Sequence, residues 1–117
     1  MIINYKAKKI KLRVKKIKGF RKYLGLMFKS KESENLLFEF DKEVNVSFHS
    51  IFVFFPFLII WLDSKNRVLD FRIAKPFTFC IGTKKKFRRL VETPLNVRNK
   101  KILRFFHSKV SSTGKTS

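Results

Sequence analysis

The chain has too few cysteines for a disulfide and few of the residues that make metal sites. Its 117 residues contain one cysteine, Cys80, and 2 histidines, so an intramolecular disulfide is excluded and a structural zinc site is not expected. No repeat of about 20 to 50 residues and no heptad pattern occurs. The basic N-terminus lacks the apolar block and cleavage site of a secretory signal, so we expect a cytoplasmic protein in a reducing setting.

Catalytic constellations are also missing from the sequence. An enzyme needs a nucleophile with a base, a carboxylate pair or a metal cluster. His49 is the single histidine of the central region and has no spaced partner. Gly82-Thr83-Lys84 lacks the preceding glycine and the strand-to-helix setting of a phosphate loop. The sequence therefore predicts no cofactor and no metal, and it favours a protein without catalytic activity.

Acidic residues are scarce, and the chain carries a large positive charge. Its 28 lysines and arginines stand against 8 aspartates and glutamates, which gives a formal net charge of +20. Clustered cations attract the phosphate backbone of nucleic acids, although charge runs of this kind are also ordinary solvated faces. The candidate phosphate-backbone patch has a strand part and a loop part: Lys8, Lys9, Lys11, Arg13, Lys15, Lys16, Lys84, Lys85, Lys86, Arg88 and Arg89.

The rest of the chain is organised around an uncharged run over residues 44–62. This run is close to the roughly 20 residues that a membrane-spanning helix needs. However, polar and apolar residues alternate up to His49, and Pro56 divides the remainder into two pieces rich in β-branched and aromatic residues. A polar turn over residues 63–66 and a further apolar stretch follow. The pattern predicts buried strands, one hairpin and no membrane span.

The other segments predict a single β-rich domain. They comprise strand patterns over residues 10–15, 36–40, 77–81 and 102–106, a turn over 41–43, and a short helix over 20–26 near the N-terminus. From His107 onward the sequence is polar and has no period. We therefore expect the domain to occupy residues 1–106 and a disordered basic tail to occupy residues 107–117.

Five short blocks, taken in order and spacing, carry a family resemblance. They are Gly25-Leu26-Met27-Phe28, Asn35-Leu36-Leu37-Phe38-Glu39-Phe40, His49-Ser50-Ile51-Phe52-Val53-Phe54-Phe55-Pro56, Ile60-Trp61-Leu62-Asp63 and Leu90-Val91-Glu92-Thr93-Pro94. The chain resembles the widespread uncharacterised prokaryotic family known as domain of unknown function 192, over residues 10–106. Without a secretory signal, it is similar to the intracellular archaeal branch of that family.

The resemblance implies a small, mostly antiparallel β-sandwich or barrel of jelly-roll type with no established activity. It leaves His49, Asp63 and Glu92 as the polar residues of motif blocks that could belong to a shared site. The family commonly has a methionine where this chain has Ser50 and an acid where it has Leu58, so a site that used those positions is altered here. Asp63 also begins the polar turn, where a carboxylate ordinarily accepts hydrogen bonds from backbone amides.

These features together predict a non-catalytic binding or accessory module with an unidentified partner. The alternative is a non-specific nucleic-acid-binding protein that uses the candidate phosphate-backbone patch. A third hypothesis places an enzyme or sugar-binding site near His49 and Glu92. The 15 phenylalanines fall mostly at apolar-face positions, which predicts that they pack in a core rather than stack on bases.

Overall fold

A five-stranded β-sheet and a two-stranded ribbon form most of the domain. The structure is a computed structural model that describes residues 1–17, 32–47, 53–78 and 80–113, with side chains up to Phe106. The elements are β1 (Ile2–Tyr5), β2 (Lys8–Lys11), β3 (Val14–Ile17), β4 (Asn35–Val44), β5 (Phe57–Leu62), β6 (Val68–Ala74), β7 (Phe87–Pro94), a 3₁₀ turn (Val97–Asn99) and α1 (Lys100–Thr113). β1 and β2 form the ribbon, and the sheet has the order β3-β4-β7-β5-β6.

The hairpin predicted in and after the uncharged run is present. β5 has the sequence FLIIWL, and all 6 of its residues are buried. It pairs antiparallel with β6, from Phe57 opposite Ala74 to Leu62 opposite Val68. Such an apolar run suits a strand that is covered on both faces. Within the part of the chain that the structure describes, no helix is long and apolar enough to cross a membrane.

Parts of the predicted strand pattern are wrong. β4 continues to Val44 through the turn predicted over residues 41–43, where the pairing with β7 shifts register and the charged side chains are exposed at the irregularity. Residues 45–47 and 53–56 lie outside strands, as do Phe77, Thr78 and Cys80 of the strand predicted over 77–81. Residues 48–52 and Phe79 are outside the described residues.

Apolar side chains cover both faces of the sheet. The first core contains Ile17, Leu36, Phe38, Phe57, Ile59, Trp61, Ala74, Phe87 and Leu90 from the sheet and Val53, Phe55 and Ile81 from loops. The second core contains Ile3 and Leu12, then Leu58, Ile60, Leu62, Phe71 and Val91 from the sheet, and Ile102 and Phe106 from α1. Alternate residues of β5 thus point to opposite cores, as the two-residue period requires. The ribbon and α1 lie on the same face.

The N-terminal strand predicted over residues 10–15 is in fact two strands. β2 ends at Lys11, Leu12 is buried, and β3 begins at Val14. β1 and β2 are joined by Lys6 and Ala7 with φ angles of 47° and 66°, which is the geometry of a two-residue type I′ turn. β3 runs parallel to β4. The sheet is therefore mixed rather than wholly antiparallel.

The C-terminal segment is helical, so the strand predicted over residues 102–106 is wrong. Ile102 and Phe106 are one helical turn apart and are both buried in the second core. A segment this short fits both the helical and the two-residue period, and the packing decides between them. α1 continues to Thr113, so residues 107–113, which the sequence assigned to a disordered tail, are helical. Residues 114–117 are outside the described residues.

The fold is mostly β, as the sequence predicted. The barrel alternative is wrong because, among the described residues, the five strands of the main sheet form an open sheet with β3 and β6 at its edges. A jelly roll packs two antiparallel sheets, and the mixed sheet with its ribbon does not confirm that topology. The described helix lies at the C-terminal end rather than near the N-terminus. The helix predicted over residues 20–26 is outside the described residues.

Candidate anion-binding cleft

A cleft lies where the ribbon, the start of β4 and the start of α1 meet. Its volume is about 370 Å³. Small-ligand sites usually measure roughly 300–1,000 Å³, so the cleft is large enough for a small molecule. It is lined by Lys11, Leu12, Arg13, Ser33, Glu34, Asn35, Arg98, Asn99, Lys101 and Ile102. We call it the anion-binding cleft because of the charges described below.

Two buried asparagine side chains fix the walls of the cleft. Asn35, the first residue of β4, donates from Nδ2 to the carbonyl oxygen of Arg13 at 2.9 Å. Asn99 donates from Nδ2 to the carbonyl oxygen of Pro94 at 2.8 Å. Both side chains are buried, and a buried group that loses such a bond destabilises the fold by about 1–3 kcal/mol. Arg13 and the 3₁₀ turn are therefore held in place by the sheet.

The cleft lies beside the beginning of the 3₁₀ turn and of α1. Asn96 caps the turn, and its Oδ1 accepts a hydrogen bond from the backbone N–H of Asn99 at 3.1 Å. Neither the 3₁₀ turn nor α1 has an acidic residue in its first turn. The positive end of the helix dipole is therefore not neutralised by a carboxylate of that turn. Helix starts of this kind attract anions.

Four cationic side chains line the cleft, against one carboxylate. The cations are Lys11, Arg13, Arg98 and Lys101. The carboxylate is that of Glu34, so the lining has a net positive charge. Arg98 donates through Nη2 to the backbone carbonyl oxygens of Glu32 and Ser33, which closes the cleft on the side of the loop before β4. Charge, donors and shape thus favour an anionic ligand.

Asp63 has a structural role at the turn between β5 and β6. Its Oδ1 accepts hydrogen bonds from the backbone N–H groups of Lys65 at 2.8 Å and Arg67 at 2.9 Å, and its Oδ2 accepts one from Nε of Arg67 at 2.6 Å. Burial raises the pKa of Asp63, but the hydrogen bonds from Arg67 and Lys65 outweigh that effect and leave the pKa lowered. This is the backbone-binding role that the turn pattern predicted.

Glu92 lies within the sheet and does not line the cleft. It is buried in β7, in register with Leu36 of β4 and Ile59 of β5. Asp63 is four residues beyond Ile59, which is about 13 Å along a strand, so the structure does not bring the two carboxyl groups together. His49 is outside the described residues. Among those described, no group of three or more histidine, cysteine or acidic residues could hold a metal ion.

The ribbon and β3 cations of the candidate phosphate-backbone patch and its loop lysines, Lys84, Lys85 and Lys86, lie toward opposite ends of β4. Lys15 pairs with Leu36 near the start of β4, whereas Phe87, which follows Lys86, pairs with Val44 at its end. Leu36 and Val44 are about 26 Å apart along a strand of that length. Three carboxylates of β4 occupy the interval, those of Glu39, Asp41 and Glu43. Carboxylates therefore lie between the cations along β4, and Lys16 and Arg89 from the two parts of the patch meet at one of them, Glu39.

Several residues of the patch already have acceptors within the protein. Glu39 accepts hydrogen bonds from Lys16 at 2.5 Å and from Arg89 at 2.9 Å. The hydrogen bond from Lys16, with the contacts from Arg89, outweighs burial and lowers the pKa of Glu39. The patch residues that donate to protein acceptors are Lys16, Lys85, Arg88 and Arg89. The exposed patch residues on the ribbon, on β3 and between them include Lys8, Lys9, Lys11, Arg13 and Lys15.

Six polar or charged residues of the cleft receive no site role from the sequence patterns. These are Ser33, Glu34, Asn35, Arg98, Asn99 and Lys101. The signals that locate the last three are Asn96, a preferred capping residue soon after Pro94, and the helical spacing of Ile102 and Phe106. Interpreting the C-terminal segment as a strand hides the helix start and therefore the cleft.

The fold and the cleft define a small β-rich domain with a cationic cleft at a helix start. Residues 2–103 match the model of the DUF192 family, which is described as Uncharacterized ACR. The chain belongs to this family, as the sequence blocks predicted.

Relatives support this assignment, and a solved structure has the same fold. The chain is 34% identical over 91 residues to UPF0127 protein TK1120 of Thermococcus kodakarensis, covering 76% of the chain and 55% of that protein. It is 32% identical over 95 residues to UPF0127 protein PF1050 of Pyrococcus furiosus, covering 79% and 80%. The chain spans about half the length of its matched Thermococcus relatives. A protein of unknown function from Novosphingobium aromaticivorans has the same fold, with a TM-score of 0.69 at 15% identity over 86% of this chain and 74% of that one.

Proposed function

We propose that the chain is a non-catalytic binding module that holds a phosphate- or carboxylate-bearing small molecule in the anion-binding cleft. The observation that carries the proposal is the convergence of four cationic side chains on a helix start without an acid in its first turn. A hydrogen bond to a charged group contributes roughly 1.5–3 kcal/mol. Two or three such bonds are enough to hold a compact anion in a cleft whose walls are fixed by buried asparagines.

The composition of the cleft supports a role in binding rather than in catalysis. Its ionisable side chains are lysines and arginines with the single carboxylate of Glu34. These groups attract an anion, but they do not make a carboxylate pair or a nucleophile with a base. The proposal places the domain in the cytoplasm, where a free and exposed thiol such as that of Cys80 stays reduced.

Calorimetric titration with inorganic phosphate tests the proposal. Replacing Arg13→Ala together with Lys101→Ala removes two cations from the cleft. We expect the affinity for phosphate to fall at least about tenfold, because each lost charged hydrogen bond is worth roughly 1.5–3 kcal/mol. The matched control, Lys84→Ala with Lys86→Ala, removes the same formal charge from an exposed loop outside the cleft. It should change the affinity less than about threefold, as exposed charges do.

Non-specific nucleic-acid binding is a second candidate function. The exposed cations of the ribbon and β3, Lys8, Lys9 and Lys15 beside Arg13, favour it. Affinity for a single-stranded RNA oligomer that falls steeply with salt would support this candidate. Equal losses of phosphate affinity in the two variants would contradict the cleft, because they would follow from net charge alone.

A further inference from the structure

Exposed apolar side chains cluster at the end of the sheet that also carries the cleft. β5 begins where β6 and β7 end, because Phe57 pairs with both Ala74 and Pro94. Three residues beyond each of these strand ends the chain exposes a large apolar side chain: Phe54 at 59%, Phe77 at 54% and Val97 at 84%. A hydrogen bond from the N–H of Leu95 to the carbonyl oxygen of Pro56, at 3.2 Å, links two of these segments.

The two phenylalanines form a pair on a strained backbone. Their ring centroids are 5.4 Å apart and the rings are nearly perpendicular, at 80°. Phe77 has a φ of 60°, a left-handed conformation that is unfavourable for a bulky residue. Thr78 steadies this turn, because its Oγ1 donates to the carbonyl oxygen of Lys75 at 2.8 Å. Large exposed apolar side chains that lie together are typical of interaction surfaces.

Exposed cations lie at the same end of the sheet as these apolar side chains. Lys75 follows the end of β6, and Arg98, Lys100 and Lys101 follow Val97 in the 3₁₀ turn and the first turn of α1. Arg13, in the connection between β2 and β3, lies at the same end, because Asn35 at the start of β4 binds its carbonyl oxygen. The exposed acids described at this end are Glu32 and Glu34. We call this surface, with Phe54, Phe77 and Val97 at its tips, the docking edge.

We propose that the docking edge binds an anionic lipid bilayer. Phe54, Phe77 and Val97 would enter the headgroup region, while the nearby lysines and arginines contact lipid phosphates. Charge complementarity carries the choice of partner, because a protein of net charge +20 is attracted to an anionic leaflet. Membrane binding is favoured in two ways, because the apolar side chains leave water and the nearby cations contact lipid phosphates. Three tips on separate turns also suit a fluid surface, which needs no matching shape.

Sedimentation with lipid vesicles tests this proposal. The wild-type chain should bind vesicles of phosphatidylcholine with phosphatidylglycerol and should bind vesicles of phosphatidylcholine alone much more weakly. Phe54→Ser together with Phe77→Ser should lower binding to the anionic vesicles at least about tenfold, because the rings no longer leave water. Val46→Ser, an exposed apolar position just after β4, is the matched control and should stay within about twofold of wild type.

Both phenylalanines are more than half exposed, so the double variant should keep the thermal unfolding curve of wild type, which shows that it is folded. Equal binding of the double variant and the wild-type chain to anionic vesicles would overturn the proposal, because charge alone would then explain the binding. Absence of wild-type binding to these vesicles would overturn it as well. The phosphate titration is done without lipid, so either result can fail while the other stands.

Discussion

Single polar side chains hold the irregular backbone segments of this domain in position. Asp63 binds the turn between β5 and β6, Asn35 binds the connection between β2 and β3, and Asn99 of the 3₁₀ turn binds the carbonyl oxygen of Pro94 at the end of β7. Each supplies a hydrogen-bond partner to backbone groups in a turn, in a connection or at a strand end. The role of Asp63 is predictable, because a carboxylate at the start of a polar turn binds nearby amides whatever its neighbours are. The role of Asn35 is not predictable, because its partner Arg13 lies in a distant segment of the sequence.

Asp63→Ala should destabilise the domain by about 1–2 kcal/mol at pH 7, because two backbone amides and Arg67 lose their acceptor. The pKa of Asp63 is lowered in the fold, so its stabilisation is present above the ordinary pKa. This stabilisation is lost as the pH falls below about 4, the ordinary pKa, and then through the lowered pKa that Asp63 has in the fold. Urea unfolding at pH 7 and at about pH 2.5 should therefore show the variant approaching the wild-type stability at acid pH. Glu43→Ala, at an exposed acid of β4, is the control, and a pH-independent deficit for Asp63→Ala would contradict the account.

Among the elements of the fold, both apolar faces of the sheet must be covered, and this requirement determines which segments pack against it. β5 is predictable from its sequence, because a continuous run of apolar residues followed by a polar turn has few alternatives to a buried strand. α1 is not predictable from residues 102–106 alone, since Ile102 and Phe106 fit either period. Contact with Phe71 on the second face of the sheet decides that this segment is a helix. The cleft is equally hard to predict from the sequence, because its lining comes from three segments that are remote in sequence.

Phe106→Ala should destabilise the domain by about 3–5 kcal/mol. The ring of Phe106 is fully buried, and its centroid lies 4.8 Å from that of Phe71. Phe54→Ala removes the same atoms from a ring that is 59% exposed, so its effect should stay within about 0.5 kcal/mol. Denaturant unfolding of both variants measures the difference. Similar stabilities for the two would mean that α1 does not pack on the sheet.

Over the whole molecule, charge is distributed unevenly along β4. The cations around the cleft lie near its start, the lysines of the loop over residues 83–86 lie at its end, and the carboxylates of Glu39, Asp41 and Glu43 lie between. Net charge alone would suggest a single binding surface for a long polyanion. The structure instead separates two cationic regions and gives one of them a cleft and a helix start. The chain belongs to the DUF192 family. The proposed binding function rests on the end of the sheet that carries the cleft.

The most direct test of the proposed site is a phosphate titration followed by ¹H–¹⁵N nuclear magnetic resonance spectra of the labelled chain. If the cleft holds the anion, the largest shifts will occur at the backbone amides of Asn35, Asn99, Lys100 and Lys101, which lie at the start of β4 and at the helix start. Amides of residues 83–86 should shift little. Shifts centred on residues 83–86, or spread evenly over all the lysines, would contradict the account.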